Sequence, residues 1–309
     1  MRGTTLRQWP RIVIGVVLVM FFVAPFPTWG AAVETTPGKQ PAKPPAGTAP
    51  AGTATQKPME KPVEKAGAKP AAKPTEQSSM ATIIDPQVDK LLKEMGEYLK
   101  SAQQYTFQAD ITFDDVLPSG QKIQFGATED VALRRPNGAY FEYRGDLGVK
   151  RFWYNGETIT LYDPGANWYA SEKVPAKFDD AMDLLMKEFG FAPPLADLLS
   201  ADPYKVLAGK VQFGIYVGMG TVEGLRCYHL AFSEKYIDWQ IWIEDGKMLV
   251  PRKILITYKT IPGAPQFTAV LSDWDFVTRV PDSLFSAALP PDAEKIQFAK
   301  LATSLDKKK

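Results

Sequence analysis

The chain has 309 residues, 45% of them hydrophobic, with 36 basic against 35 acidic side chains, one histidine and one cysteine. That length permits one large domain or two small ones, and the balanced charge argues against a polyanion-binding protein. A single cysteine rules out a disulfide within the chain, and one histidine with one cysteine leaves a conventional zinc site without ligands.

The N-terminus reads as an export signal over residues 1–30. Arg2, Arg7 and Arg11 precede the apolar run IVIGVVLVMFFVA, and the small residues of TWGAA suit a cut before Ala31 or before Val33. An uncleaved anchor is the alternative, although the run is shorter than the roughly 20 residues a spanning helix needs. No cysteine lies near the junction, so a lipidated N-terminus is not expected. Residues 31–82 are rich in Pro, Ala, Lys, Thr and Gly and poor in large apolar side chains. Burial there cannot offset the entropy of ordering, which predicts a disordered linker able to tether a domain.

The folded part is predicted over residues 83–298, with a flexible basic tail at 299–309. Asp85 and Pro86 mark a helix start, and Val88, Leu91, Leu92, Met95 and Leu99 form one apolar face. Strands follow in YTFQADITFDDV, QKIQFGATEDVALRR, GAYFEYRGD, VKRFWYNG, ETITLYD and NWYASE. Turns at Pro118-Ser119-Gly120, Pro136-Asn137-Gly138 and Pro164-Gly165-Ala166 separate them, and Asn155-Gly156 predicts a type I′ hairpin. The pattern then becomes helical. Phe178, Met182, Leu185 and Phe189 recur at three and four residues, and PPLADLLS adds a second helical segment after its prolines. Strands resume from Lys210 to Lys259 and end with QFTAVLSDWDF. Gly214, Gly218 and Gly220 read as relief of curvature in bent strands. The whole predicts a mainly β fold with helices (α+β): a curled antiparallel sheet of about ten or eleven strands, an incomplete barrel covered by helices.

Catalytic signals are weak. Cys227 and His229 share a face of one strand, but nothing supplies an orienting third group. Asp114-Asp115, Asp179-Asp180 and Glu244-Asp245 lack the spacing of a calcium loop. Paired carboxylates distant in sequence would make a hydrolase, but no feature selects two of them. No cofactor and no metal are expected.

The faces of the strands are more informative. In YIDWQIWIE, Ile237, Trp239, Ile241 and Ile243 lie on one side and Trp242 on the other. In RFWYNG, Phe152 and Tyr154 share a face while Trp153 points away. Aromatics on both sides imply a covered outer surface or an incompletely filled inner one. The candidate cavity residues are Trp153, Tyr162, Trp168, Trp239 and Trp242, chosen from both faces because sequence does not fix which is concave.

The stretch RFWYNGETITLYDPGANWYA resembles the strand–turn–strand core of the LolA/LolB-like superfamily of envelope proteins. Together with DPQVDKLLKEMGEYLKSAQQYTF, KFDDAMDLLMKEFGF, PLADLL and QIWIEDGKMLVPRKILITYK, it makes residues 85–298 similar to the DUF2092 family of predicted periplasmic proteins. The resemblance implies an incomplete barrel with helices as a lid and a cavity for acyl chains. It implies a non-enzymatic periplasmic binder or carrier of a lipid, acylated protein or other apolar ligand. No carrier residue maps onto this sequence, and the long Pro-Ala-Lys segment departs from a freely shuttling carrier. A structural or protein-interaction domain of the envelope, with an envelope protein as partner, is the alternative. Membrane association would follow if the signal is retained. No nucleic acid partner is expected.

Overall fold

The computed structural model describes residues 83–301. The export signal, the linker and most of the basic tail lie outside the described residues. The chain enters through a two-residue strand β1 (Ile83–Ile84) and helix α1 (Pro86–Ser101). Asp85 caps that helix as the sequence predicts: its carboxylate accepts from the Gln87 amide at 2.7 Å. Six antiparallel strands follow as a meander, namely β2 (Gln104–Val116), β3 (Lys122–Arg134), β4 (Gly138–Gly145), β5 (Gly148–Tyr154), β6 (Thr158–Asp163) and β7 (Trp168–Lys173). An insert then carries α2 (Phe178–Glu188), a 3₁₀ turn (Ala196–Leu199) and α3 (Pro203–Ala208). A second meander contains β8 (Phe213–Val222), β9 (Leu225–Ser233), β10 (Ile237–Glu244), β11 (Pro251–Tyr258) and β12 (Gln266–Asp275). A 3₁₀ turn (Asp282–Phe285) and β13 (Glu294–Ile296) close the described chain.

The strands form one open sheet in the order β1-β8-β9-β10-β11-β12-β2-β3-β4-β5-β6-β7-β13. Pairing of β2 with β12 welds the two meanders, so the first and last long strands meet in the middle. The register lines up inward rows across strands. One row runs Phe232, Trp239, Ile256, Phe267, Phe113 and Phe125, and another runs Phe107, Val131, Phe141, Phe152, Leu161 and Ala170. Laid flat, thirteen strands would span about 58 Å. Buried side chains of both rows nevertheless belong to one core with the insert, which requires strong curling. The sheet is therefore an incomplete barrel.

The structure departs from the sequence reading in four places. Among the described residues there are thirteen strands rather than ten or eleven, because β1 and β13 are too short to show a period; both pair in parallel at the sheet edges. PPLADLLS forms only a 3₁₀ turn, entered through Leu195 at φ 60°, which interrupts a helix beginning at the prolines. Helix α3 is an additional element, capped by Asp202. The Asn155-Gly156 turn is not type I′: Gly156 alone of the pair has positive φ, and Asn155 Oδ1 accepts from the amides of Glu157 and Thr158. The side chain thus organises a three-residue connection that a two-residue I′ turn would exclude.

Gly218 lies at a register shift in β8 with φ 136°, in keeping with its reading as a point of bending. Beyond the two residues paired to β1, this strand presents Ile215, Val217 and Met219 with 42–51% of their surface exposed. Among the described residues, no helix is long and apolar enough to cross a membrane.

Helix α1 is held to α3 by close approach at Gly96. A Cβ there would lie 2.6 Å from Tyr204 Cβ and 2.7 Å from its backbone nitrogen. Tyr204 also donates to Asp89 at 2.6 Å, and Lys100 pairs with Asp202 at 2.8 Å. Gly96→Val is expected to cost about 2–3 kcal/mol by overpacking against backbone, read as a lowered Tm. An unchanged Tm would show that the two helices part without penalty.

Candidate functional site

The insert spans the concave face because β7 and β8 stand near opposite edges of the sheet. Its residues have no choice but to cross the apolar interior, and α2 buries Phe178, Ala181, Met182 and Leu185 against it. A cleft remains between insert and sheet. Trp239, Ile254, Ile256 and Phe267 form its floor, and Phe178, Met182, Met186 and Leu207 its roof. Asp179, Asp197 and Ser200 supply its polar groups. Ser200 is buried, and its hydroxyl has no hydrogen-bond partner.

The free volume of the cleft is ≈ 70 Å³. At about 10–15 Å³ per water, that holds a few waters and not an acyl chain. The cleft is thus a seam that could widen, and the insert's attachments show where. The 3₁₀ turn is pinned: Tyr105 donates to the Leu198 carbonyl at 2.7 Å, and Arg135 to that of Leu199 at 3.3 Å. α3 is tied to α1 as above. α2 instead rests on the sheet through apolar side chains, with polar ties at its ends, where the Ala201 amide donates to Asp179 and the Leu301 amide to the Glu188 carbonyl.

The five sequence candidates do not converge. Trp239 lies in the cleft floor, stacked on Phe232 at 4.1 Å and fixed by donation from its indole to Glu234 at 3.0 Å. Trp153 is on the outer face, packed on Tyr140 at 5.8 Å. Tyr162 is also outward and buried, donating to Asn167 at 2.9 Å. Trp168 sits at the sheet margin, 36% exposed, between β6 and β13. Trp242 is outward, stacked on His229 at 4.0 Å with the Lys253 ammonium 4.9 Å from its ring. Met186, Ile254, Ile256, Phe267 and Ser200 were not singled out. Alternation marks Ile254 and Ile256 as inward, but only the fold puts a roof above them.

Other candidate groups are engaged elsewhere. His229 Nε2 pairs with Gln240 at 2.8 Å, and Cys227 Sγ lies 3.5 Å from the Leu225 carbonyl. Burial pushes the Cys227 thiol up, opposite to activation. Asp114 pairs with Lys122, Glu244 with Arg252 and Asp245 with Arg226. Among the described residues, no cluster of three His, Cys, Asp or Glu is arranged for a metal.

One acid on the concave face was missed. Glu129 shares the inward face of β3 with Val131 and Leu133, is only 1% exposed, and its Oε2 has no partner. Burial, with Asp130 adding repulsion, holds its carboxyl well above the usual range. Above about pH 4.5 the unfolded chain releases this proton while the folded chain keeps it, so the group's contribution falls as pH rises toward the folded pKa. Glu129→Gln removes the titration. Its Tm advantage over the parent is expected to widen between about pH 5 and pH 8, measured by thermal melts. A pH-independent difference would contradict a neutral buried acid.

A family model for predicted periplasmic proteins, DUF2092, matches residues 88–299. No curated protein gives a significant match. Among solved structures, the lipoprotein LppX of Mycobacterium tuberculosis is similar over 64% of this chain and 100% of its own, at 13% identity and a TM-score of 0.41. LprF of Mycobacterium bovis is similar over 64% and 98%, at 14% identity and 0.40. A LolA superfamily protein of Nitrosomonas europaea is similar over 65% and 97%, at 10% identity and 0.32. The family model spans more than two thirds of the chain, and the chain belongs to the DUF2092 family of predicted periplasmic proteins.

Proposed function

We propose that this protein is a non-enzymatic periplasmic binder or carrier of an acyl-chain ligand, with α2 as the lid over the sheet. The observation that carries this reading is the seam between α2 and β10–β12. It is apolar on both sides, has Met182 and Met186 in its roof, and keeps the unpartnered Ser200 hydroxyl within it. Unbranched methionine side chains repack readily, so such a roof can follow a ligand's shape. Transfer of an acyl chain from water into the widened seam supplies about 0.8 kcal/mol per buried methylene. Part of that gain is spent in lifting α2 from its apolar seat. Trp239 belongs to a rigid floor rather than to the moving part, because both its ring stacking and its indole hydrogen bond are to the sheet side.

Native mass spectrometry of protein purified from its own envelope is expected to show bound lipid, and a fluorescent fatty acyl probe should bind the emptied protein. Met186→Trp, which fills the seam, should weaken probe binding by at least about tenfold, equivalent to 1.4 kcal/mol. Absence of both bound lipid and probe uptake would sink the carrier reading. The envelope partner-binding alternative would then stand, with the exposed apolar side chains of β8 as its natural surface.

A further inference from the structure

A polar row crosses the concave face away from the seam. The register aligns Glu129 of β3 with Tyr143 of β4, and Tyr143 with Lys150 of β5. Lys150 reaches on to Asp163 of β6 at 2.7 Å, both side chains being largely buried. Directly paired residues on neighbouring strands bring their side chains within about 5 Å. The row therefore presents a carboxyl, a phenol and an ammonium side by side on an otherwise apolar surface. Tyr143 is half-buried, and burial together with the nearby Glu129 pushes its hydroxyl up to about 12, so it stays a donor. The Lys150 charge is balanced by Asp163, whereas Glu129 Oε2 has no partner.

Leaving a buried carboxyl oxygen unpaired costs stability that an apolar residue would not. Such a group persists most simply where something else completes it. The inward side chains between this row and the seam alternate small and large, with Ala269, Ala109 and Ala127 beside Leu271 and Ile111. From Phe267 in the seam to Glu129 the path is four residues along β12 and two strands across. That is roughly 17 Å along the sheet, within reach of a long acyl chain.

We infer that Glu129 and Tyr143, flanked by the Lys150–Asp163 pair, form a head-group subsite for the carboxyl-derived end of an acyl ligand whose tail lies in the seam. The inference rests on the carrier reading above and names its ligand class: a long chain ending in carboxyl or ester oxygens. The neutral Glu129 carboxyl and the Tyr143 phenol each donate to those oxygens.

Palmitic acid, methyl palmitate and hexadecane, each competing against a fluorescent acyl probe, separate the possibilities. The parent protein should bind at least one oxygen-bearing ligand more tightly than hexadecane. Palmitic acid alone would mark a free carboxyl, and methyl palmitate alone or both would mark an ester as sufficient. Glu129→Leu, which fills the site without a donor, should weaken the preferred ligand about tenfold or more and leave hexadecane unchanged. Glu129→Gln, which keeps a donor, should retain most of the affinity, and it provides the comparison if the leucine variant folds poorly. Equal affinity of the parent for all three ligands would overturn the subsite while leaving the carrier reading intact. So would unchanged binding by Glu129→Leu, or a loss in Glu129→Gln that extends equally to hexadecane. Failure of the parent to bind any of the three would overturn both.

Discussion

Everything in this molecule follows from one demand: an open, curled sheet has an apolar inner face that its own edges cannot cover. Strands β8 to β12 and β2 to β7 are joined through β2 and β12, and the ends of the sheet do not meet. Trp239, Phe267, Phe113, Phe141 and Phe152 all project into the hollow and are buried there. The insert, which crosses from β7 to β8, buries them together with the apolar face of α1. Its amphipathic α2 is the price of leaving the barrel unclosed.

The cover is not uniform. The end of the insert near α1 is locked by hydrogen bonds from Tyr105 and Arg135 to carbonyls of the 3₁₀ turn, and by the Lys100–Asp202 pair. α2 is held chiefly by apolar contact. Such contact is non-directional, so a ligand's methylene groups can replace it nearly one for one. In the proposed carrier, this division into a pinned half and an apolar half is what makes α2 the lid, with the ligand's tail above β10–β12. The Glu129 row lies toward the other side of the hollow, where Tyr143 and Leu161 are only half-buried.

Much of this was legible in the sequence because alternation is strict where one face is dry. β10 alternates buried and half-buried without a fault, and Asp85 with Pro86 announces α1. What escaped has physical causes. β1 and β13 are too short for a period, and α3 is a six-residue helix. Concavity is a property of register across many strands, so Trp242 and Trp239 looked equivalent until pairing placed one outside and the other within. The seam was hidden because its roof is tertiary. Glu129 did leave a signal: it is the acid at an inward position of GATEDVALRR, in step with Ala127, Val131 and Leu133.

The central claim is that α2 opens while the rest of the cover stays shut. Amide hydrogen exchange measures this directly, since local opening sets the exchange rate. Residues 178–188 should exchange far faster than β2, β12 and the interior of α1, and should become protected when an acyl ligand is added. Exchange of α2 as slow as that of the central strands, unaltered by ligand, would contradict the account.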